Sequence, residues 1–157
     1  MEILKDSIKD FSSTFKDFEE ELTGCNFVVS FDLIKFEFVS PSNFVIQDLE
    51  ALFKDSKIEG LIEESNFDEF EKNVFKSFSY IPYNLLKERF FQQIIIAKKR
   101  ESKFWELIMP FFERKPKKIL KHIATGDSCL NFYVMWGFCY IFIFDDYGIV
   151  IAGQAWD

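Results

Sequence analysis

The sequence predicts an α+β fold in a single domain spanning residues 1–157, with helices packed on a mostly antiparallel sheet that closes in a C-terminal β-hairpin. Three observations carry that expectation. Apolar residues recur at helical spacing over much of the first 125 residues, and they alternate with period two towards the C-terminus. The length suits one core, and no internal repeat or linker divides it. A chain that is 48% hydrophobic and 29% charged is globular in composition, and 22 phenylalanines make the expected core unusually aromatic.

Taken in order, Leu4, Ile8, Phe11, Phe15, Phe18 and Leu22 place one apolar stripe on a helix stopped by Gly24, lying on the core. The stripe is too short and too rich in Phe for a coiled-coil seam. Residues 26–39 alternate in two phases, Phe27, Val29, Phe31 and Leu33 and then Ile34, Phe36 and Phe38, which predicts a strand with a bulge or bend near Leu33. A helix through Phe27, Phe31, Ile34 and Phe38 competes with it. Ser40, Pro41, Ser42 and Asn43 have turn chemistry, with Asn43 placed to cap a helix carrying Val45, Leu49, Leu52 and Phe53.

Asn66 and Glu69 fit a capping box before a helix with Phe67, Phe70, Val74, Phe75 and Phe78 on one face, ended by Pro82. A second helical run holds Leu85, Leu86, Phe90, Phe91, Ile94 and Ile95. A third, from Ser102, holds Phe104, Trp105, Ile108, Phe111 and Phe112, with a kink expected at Pro110. Pro116 suits the first turn of a last short helix with Ile119, Leu120 and Ile123, closed by Gly126. Beyond it, Leu130, Phe132, Val134, Trp136, Phe138, Tyr140, Phe142 and Phe144 define one strand face, while Tyr133, Met135, Cys139, Ile141 and Ile143 define the other. A strand apolar on both faces belongs inside a covered sheet. Gly137 marks a candidate bulge, and Asp145, Asp146, Tyr147 and Gly148 a hairpin loop with Gly148 left-handed, returning through Ile149 to Ala152.

Catalytic chemistry finds little to work with. No phosphate loop, dinucleotide fingerprint, nucleophile elbow or paired-His zinc motif is present. His122 with Asp127 and Cys129 is a conceivable Cys-His-Asp set, but the residues around it read as a helix end and a packed strand. Adjacent Asp145 and Asp146 are ordinary turn residues, so no metal site, no cofactor and no enzymatic activity are expected. Cys25, Cys129 and Cys139 read as reduced core thiols. The first ten residues lack the apolar run of a signal peptide, so a cytoplasmic location is expected. The uncharged stretch 128–144 reads as a buried strand, with acids and no basic anchors at its flanks.

Charge is the most informative quantity. Residues 1–80 carry 8 basic and 18 acidic side chains, residues 81–125 carry 11 and 4, and residues 126–157 carry none and 4, for a net charge of -7. Such asymmetry concerns fields and partners more than fold. Glu19, Glu20 and Glu21, then Glu63, Glu64 and Asp68, are candidate surfaces for steering a basic partner, with Asp145 and Asp146 as further acids. Trp156 and Asp157 either tuck an indole into the core or present an aromatic anchor rimmed by acid. The basic middle, including Lys98, Lys99, Arg100, Lys103 and Arg114, is read as an intramolecular or subunit match to the acidic half rather than a nucleic-acid patch.

These acidic clusters, together with the closing β segment 131–157, give the chain a general likeness without a specific motif: it resembles the small acidic bacterial immunity proteins of contact-dependent and polymorphic toxin systems. The resemblance implies tight stoichiometric binding that neutralises a cognate toxin domain, often a nuclease with a basic groove. No membrane attachment and no direct contact with nucleic acid are expected from the sequence. The alternative is an acidic DNA mimic, from a phage or mobile element, that inhibits a DNA-binding protein.

Overall fold

Two-sided burial of the central strands organises the molecule. The computed structural model describes residues 1–23, 28–40, 43–53, 57–80, 90–125 and 134–156, without the side chains of residues 90, 134 and 135. Outside the described residues lie Gly24, Cys25, Asn26, Phe27, Pro41, Ser42, Pro82, Leu85, Leu86, Gly126, Asp127, Cys129, Leu130, Phe132, Tyr133 and Asp157. Six strands are described, β1 (Lys9–Asp10), β2 (Val28–Glu37), β3 (Gly60–Ser65), β4 (Lys118–Ala124), β5 (Val134–Ile143) and β6 (Tyr147–Trp156). They form one sheet in the order β1-β2-β6-β5-β4-β3, antiparallel at every step. With α1 (Lys16–Leu22), α2 (Ile46–Leu52), α3 (Phe67–Phe78) and α4 (Phe90–Ile108) packed on it, the fold is α+β, ending in the β5–β6 hairpin as the alternation predicted.

The phase change in β2 has a different cause from a bulge. Its register with β6 runs unbroken from Val28 opposite Trp156 to Glu37 opposite Tyr147. Val29, Phe31 and Leu33 enter a core on the first face of the sheet, under α1, α3 and α4. Ile34, Phe36 and Phe38 enter a second core on the other face, with Phe44, Leu49, Leu52 and Ile58. Each end of the strand is buried on the opposite side, so the apolar parity switches while the strand stays regular. β5 divides likewise, Phe138, Tyr140 and Phe142 to the first core and Cys139, Ile141 and Ile143 to the second. Its register irregularity lies between Val134 and Trp136; Gly137 simply pairs with Gln154.

The N-terminal stripe forms no continuous helix. Residues Lys5–Ser7 and Ser12–Phe15 are 3-10 turns, Lys9–Asp10 is a strand, and only Lys16–Leu22 is α-helical. The competing demand comes from β2, whose outer edge has only the two residues of β1 beside it. Ser7 Oγ accepts from Glu37 N–H at 2.8 Å, Ser12 Oγ from Leu33 N–H at 3.1 Å, Glu19 Oε1 from Phe31 N–H at 2.6 Å and Thr23 Oγ1 from Val29 N–H at 3.2 Å. Backbone donors that would otherwise be orphaned outweigh helix periodicity here.

Other expectations are corrected in the same way. Residues 116–123 are not a last helix: β4 occupies Lys118–Ala124, paired between β3 and β5, because side-chain pairing across two neighbours overrides a short helical pattern. From Phe90 on, the second and third helical runs are one helix, α4, which Pro110 ends in a 3-10 turn (Met109–Phe111) rather than kinks. Phe91 and Ile95, apolar members of the second helical run, are 75% and 57% exposed. Helix α2 starts after Val45, whose N–H donates to Asp48 Oδ2 at 2.8 Å, so Asn43 is not its cap. Asn66 does cap α3, its Oδ1 accepting from Glu69 N–H at 2.9 Å.

Gly148 is not left-handed either; it lies in β6, where a Cβ would overlap the Phe36 ring. Gly153 is equally confined, since a Cβ there would sit 2.8 Å from the rings of both Phe31 and Phe138. Gly153→Ala is therefore expected to destabilise the protein by about 1–3 kcal/mol through overpacking, read as a lower urea midpoint with an unchanged slope.

Candidate functional site

The acids singled out by the sequence do not form one surface. Glu20 and Glu21 are exposed on α1, and Lys103 pairs with Glu21. Glu63 and Glu64 lie on β3, four strand spacings from β2, or about 19 Å across the sheet. Lys118 pairs with Glu64 at 2.6 Å, Glu63 sits opposite Lys121, and Asp68 is exposed at the start of α3. Lys121 also reaches Glu69 at 2.7 Å, which holds that carboxyl below its usual range. Asp145 and Asp146 occupy the β5–β6 turn, where Arg114 contacts both and Lys117 pairs with Asp145. Trp156, at the end of β6, is half-buried, and Asp157 is outside the described residues.

The match between basic middle and acidic remainder is thus partly made within the chain, through Lys103, Arg114, Lys117, Lys118 and Lys121. Exposed pairs of this kind contribute little to stability. They do quench much of the field that the charge count suggests.

One acidic site is not quenched in this way. A cleft of about 900 Å³ opens beside β2, lined by Ile8, Ile34, Leu52 and Phe53, by the carboxylates of Asp10, Asp32 and Glu50, and by Lys5 and Gln47. Asp32 is the critical member. It stands in β2 between Phe31 and Leu33, opposite Ala152 of β6, and makes no side-chain hydrogen bond or ion pair among the described residues. Burial, reinforced by the nearby charges of Asp10 and Glu19, pushes its pKa up to about 6.

Glu19, a sequence candidate, thus reaches this site indirectly. Its carboxylate accepts from Phe31 N–H, and burial raises its pKa while that hydrogen bond opposes the rise. Asp10, Asp32 and Glu50 were missed by a search for runs of acid. A lone acid inside an apolar strand was the signal available, because a central strand has no cheap place for a charge.

The alternative chemistry is set differently from the sequence expectation. His122 lies in β4, buried, with Nε2 3.1 Å from the Glu59 carbonyl; burial lowers its pKa. Cys129 and Asp127 are outside the described residues, and Cys139 is buried. Among the described residues, no cluster of three or more His, Cys, Asp or Glu could hold a metal ion, and no helix is long and apolar enough to cross a membrane.

No protein-family model matches the chain, and no curated protein matches it. Among solved structures it is similar to the crystal structure of citrus MAF1, with a TM-score of 0.57 over 93% of this chain and 98% of that one. The sequences are 11% identical, so the likeness is one of fold alone.

Asp32 links the cleft to stability with a definite sign. The folded state keeps the Asp32 proton to about pH 6, whereas an unfolded Asp releases it near pH 4. Its contribution is fully present below about pH 4 and is lost as pH rises through about 6. Asp32→Asn should therefore stabilise the protein by about 1–3 kcal/mol at about pH 7.5 and by far less at about pH 4, measured by urea unfolding at both.

Proposed function

We propose that this chain acts by binding, as an immunity-type protein that captures and neutralises a cationic toxin domain, with one or more Lys or Arg side chains of that domain entering the Asp10–Asp32–Glu50 cleft. The observation that carries the proposal is Asp32, a carboxylate buried in β2 at a cost to stability and without an ion pair among the described residues. A folded protein keeps such a group where function uses it. An arriving ammonium or guanidinium supplies the missing partner, and the apolar walls exclude water and strengthen the interaction. Glu20, Glu63, Glu64 and Asp68 supply longer-range steering, which sets approach rate more than affinity.

The ion pairs of Lys103, Lys118, Lys121 and Arg114 favour this reading over a DNA mimic, which needs regularly spaced, uncompensated carboxylates. The decisive experiment is co-expression with the product of the neighbouring upstream gene, scoring co-purification and rescue of growth. A stable complex with rescue supports the proposal; neither result removes it.

The site is tested separately in that complex. Asp10→Asn, Asp32→Asn and Glu50→Gln together should weaken binding by at least about 100-fold, from three charge-assisted contacts. Reversing Glu63, Glu64 and Asp68 should slow association at low salt and change little at high salt. Because the bound cation favours ionised Asp32, complex formation should release a proton between about pH 4 and 6, seen as affinity rising with pH over that range. An affinity indifferent to the three cleft substitutions places the interface elsewhere.

A further inference from the structure

The N-terminal segment reaches the cleft with few side chains to hold it down. None of residues 1–14 is buried, whereas Phe15, Phe18 and Leu22, which follow them, are. Lys5, Ile8 and Asp10 of this segment line the cleft together with Asp32 and Ile34 of β2 and Glu50 of α2. Hydrogen bonds along the edge of β2 fasten it. Leu4 N–H donates to the Glu37 carbonyl at 2.9 Å, Phe11 N–H to the Leu33 carbonyl at 2.7 Å, and Leu33 N–H to Ser12 Oγ at 3.1 Å. Ile3, bridged to Phe38, and the buried Phe15 anchor the two ends. A stretch held by edge hydrogen bonds rather than buried side chains belongs to the least stable part of a fold.

Asp10 takes part in this fastening and is also an acid whose charge bears on Asp32. Its Oδ1 accepts from Ser12 N–H at 2.8 Å, which shapes the turn that presents Ser12 to Leu33. Burial is the largest influence on Asp32, followed by the charges of Asp10 on β1 and Glu19 on α1. Of the other elements around it, α2 brings Glu50, the segment itself brings Lys5, and β6 places Ala152 opposite. An ionised Asp32 therefore stands among three other carboxylates, with Lys5 as the cation lining the cleft.

We propose that residues 4–12 are a pH-sensitive strap over the cleft, closed while Asp32 is neutral and lifted when Asp32 carries a charge beside Asp10. Lifting hydrates Asp32 and parts it from Asp10, so burial and repulsion are relieved together. Glu19 takes no part in the movement, because Phe15 and Phe18 hold α1 on the first core. The sign follows from the raised pKa of Asp32, about 6 in the closed form against about 4 for a solvated Asp. The contribution of Asp32 to closure is fully present below about pH 4 and is lost as pH rises through about 6. The strap bears on the cleft assigned above to a cationic partner, but it operates in the free chain, so either reading can fail without the other.

The test is amide hydrogen exchange followed by NMR on the full chain, read as protection factors, which divide out the intrinsic pH dependence of exchange. Between about pH 5 and 7.5 the protection of the Phe11 and Leu33 amides is expected to fall by about fivefold to tenfold, with little dependence on low concentrations of urea. Asp32→Asn should abolish that fall. Asp10→Asn, which keeps an acceptor for Ser12 N–H, should reduce it, and this second variant decides the matter if the first fails to fold. The Phe31 amide, bonded to Glu19, and the Ile151 amide in β6 should exchange more slowly than either reporter at about pH 7.5. Protection of Phe11 and Leu33 that is indifferent to pH overturns the proposal, as does a fall of the same size in wild type and both variants. A urea dependence as steep as that of Ile151 also overturns it, since the segment then opens only with the whole domain.

Discussion

The outer edge of β2 is the constraint on which the rest of the structure depends. β2 is buried on both faces, yet only two residues of β1 pair along that edge. Unpaired donors beside a core are costly, and an open edge invites pairing with other chains. The N-terminal segment resolves both difficulties by wrapping along the strand and offering Ser7, Ser12, Glu19 and Thr23 as acceptors where a full strand would offer carbonyls. That service breaks the segment into turns, a short strand and a seven-residue helix, and it places Phe15 and Phe18 over Phe31.

Closing the edge also builds the candidate site. Glu19 reaches Phe31 N–H, and Asp10 lies in β1 opposite Ile34. Both therefore approach Asp32, in the strand between those positions, and their charges add to the effect of its burial. A core built for stability alone would carry an apolar residue there. The destabilising carboxylate, the cleft beside it and the acids that tie down the strand edge are one local arrangement, and a cation from outside would relieve it.

Part of the remaining charge has an internal role. Lys121 joins β4 to α3 through Glu69, whose other oxygen accepts from Ser65 Oγ at 2.7 Å. Arg114 holds the turn of the C-terminal hairpin through Asp145 and Asp146, and its guanidinium lies 5.4 Å from the centre of the Tyr147 ring. Five basic side chains of the sequence's middle, Lys103, Arg114, Lys117, Lys118 and Lys121, thus reach acids of the elements that flank it.

By itself, the sequence determined the composition of the layers. The two faces of β5, the Asn66 cap, and the helical spacing of Phe70, Val74 and Phe78 are local patterns whose period is set by backbone geometry, and each is present in the structure. It also determined that acidic and basic residues are segregated along the chain. Only the tertiary structure decided where those charges meet, that residues 118–124 pair as a strand, that the phase change in β2 reflects two cores, and that Asp32 is a buried carboxylate with no ion pair among the described residues. These outcomes rest on contacts between residues far apart in sequence. A periodicity can say that a residue is buried, but not which backbone donor or which charge stands beside it.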